Sequence, residues 1–254
     1  MRMRYRAGRA RAASTFQDEF DGPAGAPPDP AKWSCELGGG GWGNGEAQEY
    51  VDSPLNVFQD GKSHLIIRAT RHPAPAGPGE PDGYHSARIT TRGKFWQLGG
   101  TFEARIKVVS QPGLWPAFWL MGQNLPQAGW PACGEVDILE DFGHSTVQAS
   151  VHAPAGGDML HSAHHDLPSD TGWHTYQLRW AADGMSFSRD GRQHLFVSSD
   201  YCPAASWVYG PSAPSNGGMF LLLNLAVGGN AGDPPPGTVF PADLMIDYVR
   251  VSES

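Results

Sequence analysis

The chain has 254 residues, enough to bury a substantial core without disulfide or metal staples, and carries a formal charge of −8 with 40% hydrophobic residues. That apolar share excludes a disordered chain, 33 Gly and 22 Pro exclude a helical bundle, and no run approaches the roughly 18 apolar residues of a membrane span. An acidic globule repels nucleic-acid phosphates, so neither nucleic acid nor membrane is an expected partner.

Residues 1–13 contain Arg2, Arg4, Arg6, Arg9 and Arg11 and no acid. They read as a basic, disordered tail without the apolar stretch of a signal peptide. Residues 14–254 read as one domain. Pro and Gly cluster at 23–30, 73–83 and 233–237, where they mark loops rather than linkers. The run Gly38-Gly39-Gly40-Gly41 lacks the flanks of a phosphate loop and reads as a flexible rim. Residues 101–108 alternate apolar and polar with period two, as do 175–180. Asp183-Gly184 and Asp190-Gly191 punctuate consecutive hairpins, and 219–227 and 244–251 are further strands. The expected fold is all-β, an antiparallel two-sheet sandwich. Cys35, Cys133 and Cys202 allow one disulfide and one free thiol, with the pairing open. His161, His164 and His165 read as a solvated loop rather than a metal site.

Residues 134–141, Gly-Glu-Val-Asp-Ile-Leu-Glu-Asp, concentrate acid among β-formers. In a strand, Glu135 and Asp137 share one face while Val136 and Ile138 pack inward. Strict alternation would then bury Glu140 and expose Leu139, at a cost of several kcal/mol. A β-bulge at Ile138-Leu139 resolves the conflict and returns Glu140 to the face of Glu135 and Asp137. Tryptophans surround the segment: Trp96, Trp115, Trp119 and Trp130. Indoles stack on the apolar faces of sugar rings, and paired carboxylates act on glycosidic bonds. Glu135 and Glu140 converging to about 5–5.5 Å would permit direct attack and retention of configuration, with Asp137 splitting their proton affinities.

These residues resemble glycoside hydrolase family 16 in its laminarinase-like branch, whose hallmark is a bulged Glu-x-Asp-x-x-Glu motif. The likeness extends to Phe16-Gln17-Asp18-Glu19-Phe20-Asp21-Gly22, to Trp42-Gly43-Asn44-Gly45-Glu46-Ala47-Gln48-Glu49-Tyr50, and to Ser86-Ala87-Arg88-Ile89-Thr90-Thr91. Asn224-Leu225-Ala226-Val227-Gly228-Gly229-Asn230 and Asp247-Tyr248-Val249-Arg250-Val251 follow in family order. The resemblance implies a jelly roll with an open substrate cleft on the concave sheet, and retaining endo-hydrolysis of a β-1,3-glucan such as laminarin. By motif position, Glu135 would be nucleophile, Glu140 acid/base and Asp137 its assistant. His152, Asn44, Arg88, Trp96, Trp115, Trp119 and Asn224 would contact substrate. No cofactor is implied for catalysis. A structural calcium on Glu19, Gly61 and Asp247 is implied as a family feature.

The resemblance further implies a monomer working outside the cell or in its envelope. Ala231 and Ala153-Pro154 stand where many relatives carry aromatic residues or glycine, which leaves the preferred chain and linkage open, mixed-linkage glucan included. A transglycosylase on the same site is the first alternative. A non-catalytic glucan-binding module is the second, though it would have no reason to keep all three carboxylates.

Overall fold

The computed structural model describes residues 14–72, 83–155, 158–161, 167–201, 209–210 and 218–253. The basic tail, Cys202, His164 and His165 lie outside the described residues. In chain order come β1 (Ser14–Asp18), β2 (Ser34–Glu36), β3 (Gln48–Tyr50), β4 (Val57–Gln59) and β5 (Leu65–His72). Next are β6 (Gly83–Ser86), β7 (Arg88–Thr90), β8 (Gly100–Lys107) and β9 (Leu114–Gly122). A single-turn helix, α1 (Leu125–Ala128), precedes β10 (Glu135–Asp141), β11 (Thr146–Ala155), β12 (Asp158–His161) and β13 (Leu167–Pro168). The chain ends with β14 (Trp173–Ala181), β15 (Gly184–Arg189), β16 (Arg192–Ser198), β17 (Met219–Val227) and β18 (Ala242–Ser252).

Two sheets result among the described residues. The first runs β16-β15-β14-β8-β18-β5-β6-β3, with β1 against β18 and β4 against β5. The second runs β12-β11-β10-β9-β17-β7-β2, with β13 against β11. Neighbours pair antiparallel except β3 beside β6. The fold is the expected β-sandwich jelly roll.

Alternation explains why the sheets stack. In β8, Phe102, Ala104 and Ile106 are fully buried while the residues between them are not. They join Leu178, Leu244 and Ile246 of the same sheet and Phe118, Leu120, Val136, Leu221 and Leu223 of the other in one core. Each large aliphatic or aromatic side chain buried there contributes about 1.5–3 kcal/mol. The turn between β15 and β16 uses Asp190 and Gly191 at φ 52° and 74°, the double left-handed geometry of a tight hairpin.

Strands β9 and β17 are buried on both faces. Their core-facing residues include Leu114, Phe118, Leu120, Leu221 and Leu223. On the outer face, Trp119 and Met121 of β9 pack with Phe220 and Leu222 of β17 and with Cys133. At the other end of that face Trp115 packs with Ala226, Ala231 and Phe142. Polar groups occupy the ground between these two apolar clusters, and the functional site lies there.

Candidate active site

Strand β10 lies between β9 and β11, and its register slips by one residue against both. Asp137 pairs with Ser150 and Glu140 with Gln148, while Asp137 pairs with Trp119 and Leu139 with Phe118. One extra residue on β10 is the definition of a bulge. Its effect is the one that the buried-charge argument requires: Val136, Ile138 and Leu139 all enter the core. Glu135, Asp137 and Glu140 consequently all line the cleft. Asp141 resumes the alternation and is fully buried, where it accepts bonds from Ser110 Oγ (3.1 Å), Ser169 Oγ (2.6 Å) and the Gly143 N–H (2.7 Å). It does not face the cleft.

The three carboxylates sit in unlike surroundings. Asp137 is nearly inaccessible, and its Oδ2 accepts Ser150 Oγ at 2.6 Å and lies 3.0 Å from His152 Nε2. Glu140 Oε1 accepts the Trp115 indole N–H at 3.1 Å, and its Oε2 lies 3.4 Å from Ser150 Oγ. Burial first, then the charges of Asp137 and Glu135, pushes Glu140 far above the carboxylate range; its stabilising partners, Trp115 and Ser150, are neutral. Glu135 is pushed up to about 8 by burial and by Asp137. Three groups pull it back: His152, the Trp130 side chain and Arg88. Burial depresses His152, but its hydrogen bond to Asp137 and the charges of Asp137 and Glu135 outweigh that and leave it raised. Positive charge therefore gathers on the Glu135 side, and neutral donors on the Glu140 side. When the cluster shares protons, Glu135 ionises before Glu140.

The backbone around Glu135 is clamped from a distance. The Glu135 N–H donates to the Tyr209 hydroxyl oxygen at 3.2 Å, and that hydroxyl reaches the carbonyls of Glu135 (2.8 Å) and His152. The last turn before the strand is tight too, since a side chain at Gly122 would run into the Cys133 carbonyl.

The carboxylates open into a cleft of about 390 Å³. Of the expected contact residues, Asn44, Arg88, Trp115, Trp119, His152 and Asn224 line it. The Arg88 guanidinium is stacked between Trp42 (4.8 Å) and Trp119 (4.7 Å), with Nε 2.6 Å from Glu36 Oε2. Trp96 is the exception. It is half exposed in a separate hollow of about 210 Å³ with Arg92, Gly93, Gln123 and Phe220. The physical reason is its neighbour Gln97, which bridges to Met219 at the start of β17. That is five residues, or about 16 Å of strand, from Asn224. A larger, shallower hollow of about 710 Å³ beside β5 includes Leu55, Arg68 and Val239, but Arg68 is taken up by Asp243 at 2.7 Å, and it holds no carboxylate cluster.

The cleft also contains Glu46, Trp130, Phe142, Gln148 and Asn230, which the sequence reading did not assign as contacts. Ser150 was findable, being two residues before His152 on a strand and hence on the same face. Tyr209 carries no such signal, lying 74 residues from Glu135. The glycine run is not a free rim: Gly38 bridges to Tyr50 and Gly41 to Glu46, and the Trp42 indole donates to the Gly38 carbonyl at 3.0 Å.

The side-chain carboxylates expected to hold calcium are paired with arginines. Glu19 is held by both prongs of Arg250 at 2.7 and 2.6 Å, and Asp247 lies 2.6 Å from Arg105. Each carboxylate already has a cation. Asp247 follows the buried Ile246 and faces outward by alternation, onto Arg105. Gly61 sits in a tight turn against Ala24.

Clustering acid in a buried site costs stability. Glu135 rises from an ordinary 4.5 to about 8 on folding, so the folded state binds more protons between those values and stability falls as pH rises through that window. Glu135→Gln is expected to flatten this slope and to raise Tm at pH 8 by about 2–4 °C, with little change near pH 4. Thermal melts across pH check it, and equal slopes for the two proteins would refute the charge assignment.

The sequence profile of glycosyl hydrolases family 16 matches residues 44–218. A beta-glucanase of Rhodothermus marinus is 36% identical over 251 residues, covering 93% of this chain and 83% of its own length. The glucan endo-1,3-beta-glucosidase A1 of Niallia circulans is 31% identical over 93% of this chain, which spans only 37% of that protein. Among solved structures, the laminarinase from Rhodothermus marinus superposes with a TM-score of 0.81 at 32% identity, covering 96% of this chain and 98% of that one. A bulged strand with three cleft-facing carboxylates, a two-sheet jelly roll and this likeness over nearly the whole length converge: the chain belongs to glycosyl hydrolases family 16.

Proposed function

We propose that this glycoside hydrolase cleaves internal bonds of β-1,3-glucan chains of the laminarin type with retention of configuration. The observation that carries the mechanism is the bulge that places Glu135, Asp137 and Glu140 together in one cleft, with cationic partners toward Glu135 and neutral donors toward Glu140. Glu140 gives its proton to the glycosidic oxygen as that bond breaks. Glu135 attacks C1 from the other side and forms a covalent glycosyl-enzyme. Glu140, now ionised, takes a proton from water, whose oxygen displaces Glu135 and restores the starting configuration. Asp137, held by Ser150 and His152, lies beside the pair and raises Glu140's hold on its proton until the leaving oxygen approaches. The reaction as written needs no cofactor.

The glucan assignment draws on the glucanase and laminarinase relatives above and on the indoles of Trp115, Trp119 and Trp130 around the carboxylates. Work on a polymer fits a monomer acting outside the cell or in its envelope. Among the described residues no helix is long and apolar enough to cross a membrane.

The test is product analysis on laminarin, mixed-linkage glucan and agarose for wild type and Glu135→Gln. Oligosaccharides of mixed length from laminarin, absent with the variant, are expected. Products longer than the substrate would indicate transfer to sugar instead of water. Laminarin binding without cleavage by the wild type would identify a binding module.

A further inference from the structure

The cleft holds a further buried acid that the mechanism above does not use. Glu46 precedes β3 in the bend after the glycine run and is 8% exposed. Its Oε2 accepts Gln48 Nε2 at 2.6 Å and the Tyr50 hydroxyl at 3.0 Å, and its Oε1 accepts Asn44 Nδ2 at 3.2 Å. From Tyr50 the bonds continue. Asn224 Nδ2 donates to the Tyr50 oxygen at 3.1 Å, and the Trp119 indole N–H donates to Asn224 Oδ1 at 2.7 Å. Trp119 pairs directly with Asp137 across β9 and β10.

The polarity of this chain is fixed from both ends. An indole N–H can only donate, so the Asn224 amide must turn its oxygen to Trp119 and its NH2 to Tyr50. The Tyr50 oxygen, having accepted, sends its own proton onward. Burial and the Glu46 charge keep that hydroxyl protonated, hence a donor. Among the described residues the acceptor it meets is the Glu46 carboxylate, so every proton in the relay points toward that group. A charged terminus strengthens each bond in such a series, and the partners are buried where bonds of this kind have their largest effect.

We infer that Glu46 is a positioning residue which, through Tyr50 and Asn224, fixes the plane of the Trp119 indole, and with it the Arg88 guanidinium stacked on that ring, as one platform for the sugar chain beside the reacting carboxylates. This rests on the glucanase reading, since the platform matters only if a sugar chain occupies the cleft. Glu46 sets the ring's orientation without itself taking part in bond cleavage.

The experiment uses Glu135→Gln as an uncleaving background and titrates laminari-oligosaccharides calorimetrically, with the Trp119 indole ¹⁵N–H resonance, identified by its loss in Trp119→Phe, followed in parallel. Glu46→Ala and Tyr50→Phe are each expected to weaken binding about tenfold and to shift the Trp119 resonance. Because they break one relay, the double variant should weaken binding by about tenfold in total, well short of the roughly hundredfold of independent sites. Glu46→Gln, which retains an acceptor, should recover most of the affinity. An unmoved Trp119 resonance in both single variants overturns the inference. So does weakening by Glu46→Ala alone, which would mean direct contact with sugar. If the background protein binds no oligosaccharide at all, the glucan reading fails, while the resonance still reports whether the relay exists.

Discussion

Glu135→Ala is expected to lower kcat/KM on laminarin by about 10⁴-fold or more, the scale of deleting a covalent nucleophile. The loss follows from chemistry rather than unfolding. Glu135 is the carboxylate on which His152, Trp130 and Arg88 converge, and removing it relieves repulsion with Asp137. The stronger part of the prediction is rescue. Azide fits where the carboxylate stood, attacks C1 from that side and displaces the protonated leaving sugar. One inversion of a β-linked sugar gives an α-glycosyl azide. Chromatography with NMR of the product checks this. An unrescued variant that keeps more than a tenth of wild-type activity would remove Glu135 from the role.

Glu140→Ala is expected to behave differently, with a loss of about 10²–10⁴-fold on the polymer, as for removal of a general acid–base group. Its size should depend on the leaving group. A glucoside of an acidic phenol needs no proton from Glu140 to depart, so its glycosyl-enzyme still forms but waits for a base to activate water. Azide, which needs none, then resolves it by a second inversion. The product is a β-glycosyl azide, of opposite configuration to that from Glu135→Ala. Finding the same anomer from both variants would mean that the two roles are misassigned. The Trp115 and Ser150 bonds to Glu140 lose their acceptor in this variant, so circular dichroism and a melt should accompany the kinetics.

The site was readable in the sequence wherever one strand decided the outcome. Period two and the cost of burying Glu140 required a bulge, and the extra residue occurs between Asp137 and Leu139 against β9. His152, on the next strand, was implied only by the family resemblance, and antiparallel pairing sets it opposite Glu135. Strands β8, β14, β17 and β18 announced themselves by alternation or by a long apolar run, with ends displaced by no more than two residues. What was not visible depended on placement between distant segments. Trp96 is as aromatic as Trp119, but a bridge from Gln97 to Met219 moves it to the far end of β17. Glu19 and Asp247 are good calcium donors by type, yet Arg250 and Arg105 reach them first. The Glu46 relay requires Tyr50 and Asn224 to meet across 174 residues, which no local pattern encodes.

The most direct test of the central claim is the anomeric form of the first product. Proton NMR of wild-type enzyme on laminarin, recorded before mutarotation, should show new reducing ends in the β form, with α appearing only later. That order follows from two inversions at Glu135. New α ends at the earliest times would mean a single displacement by water and would contradict the mechanism built on the bulged strand.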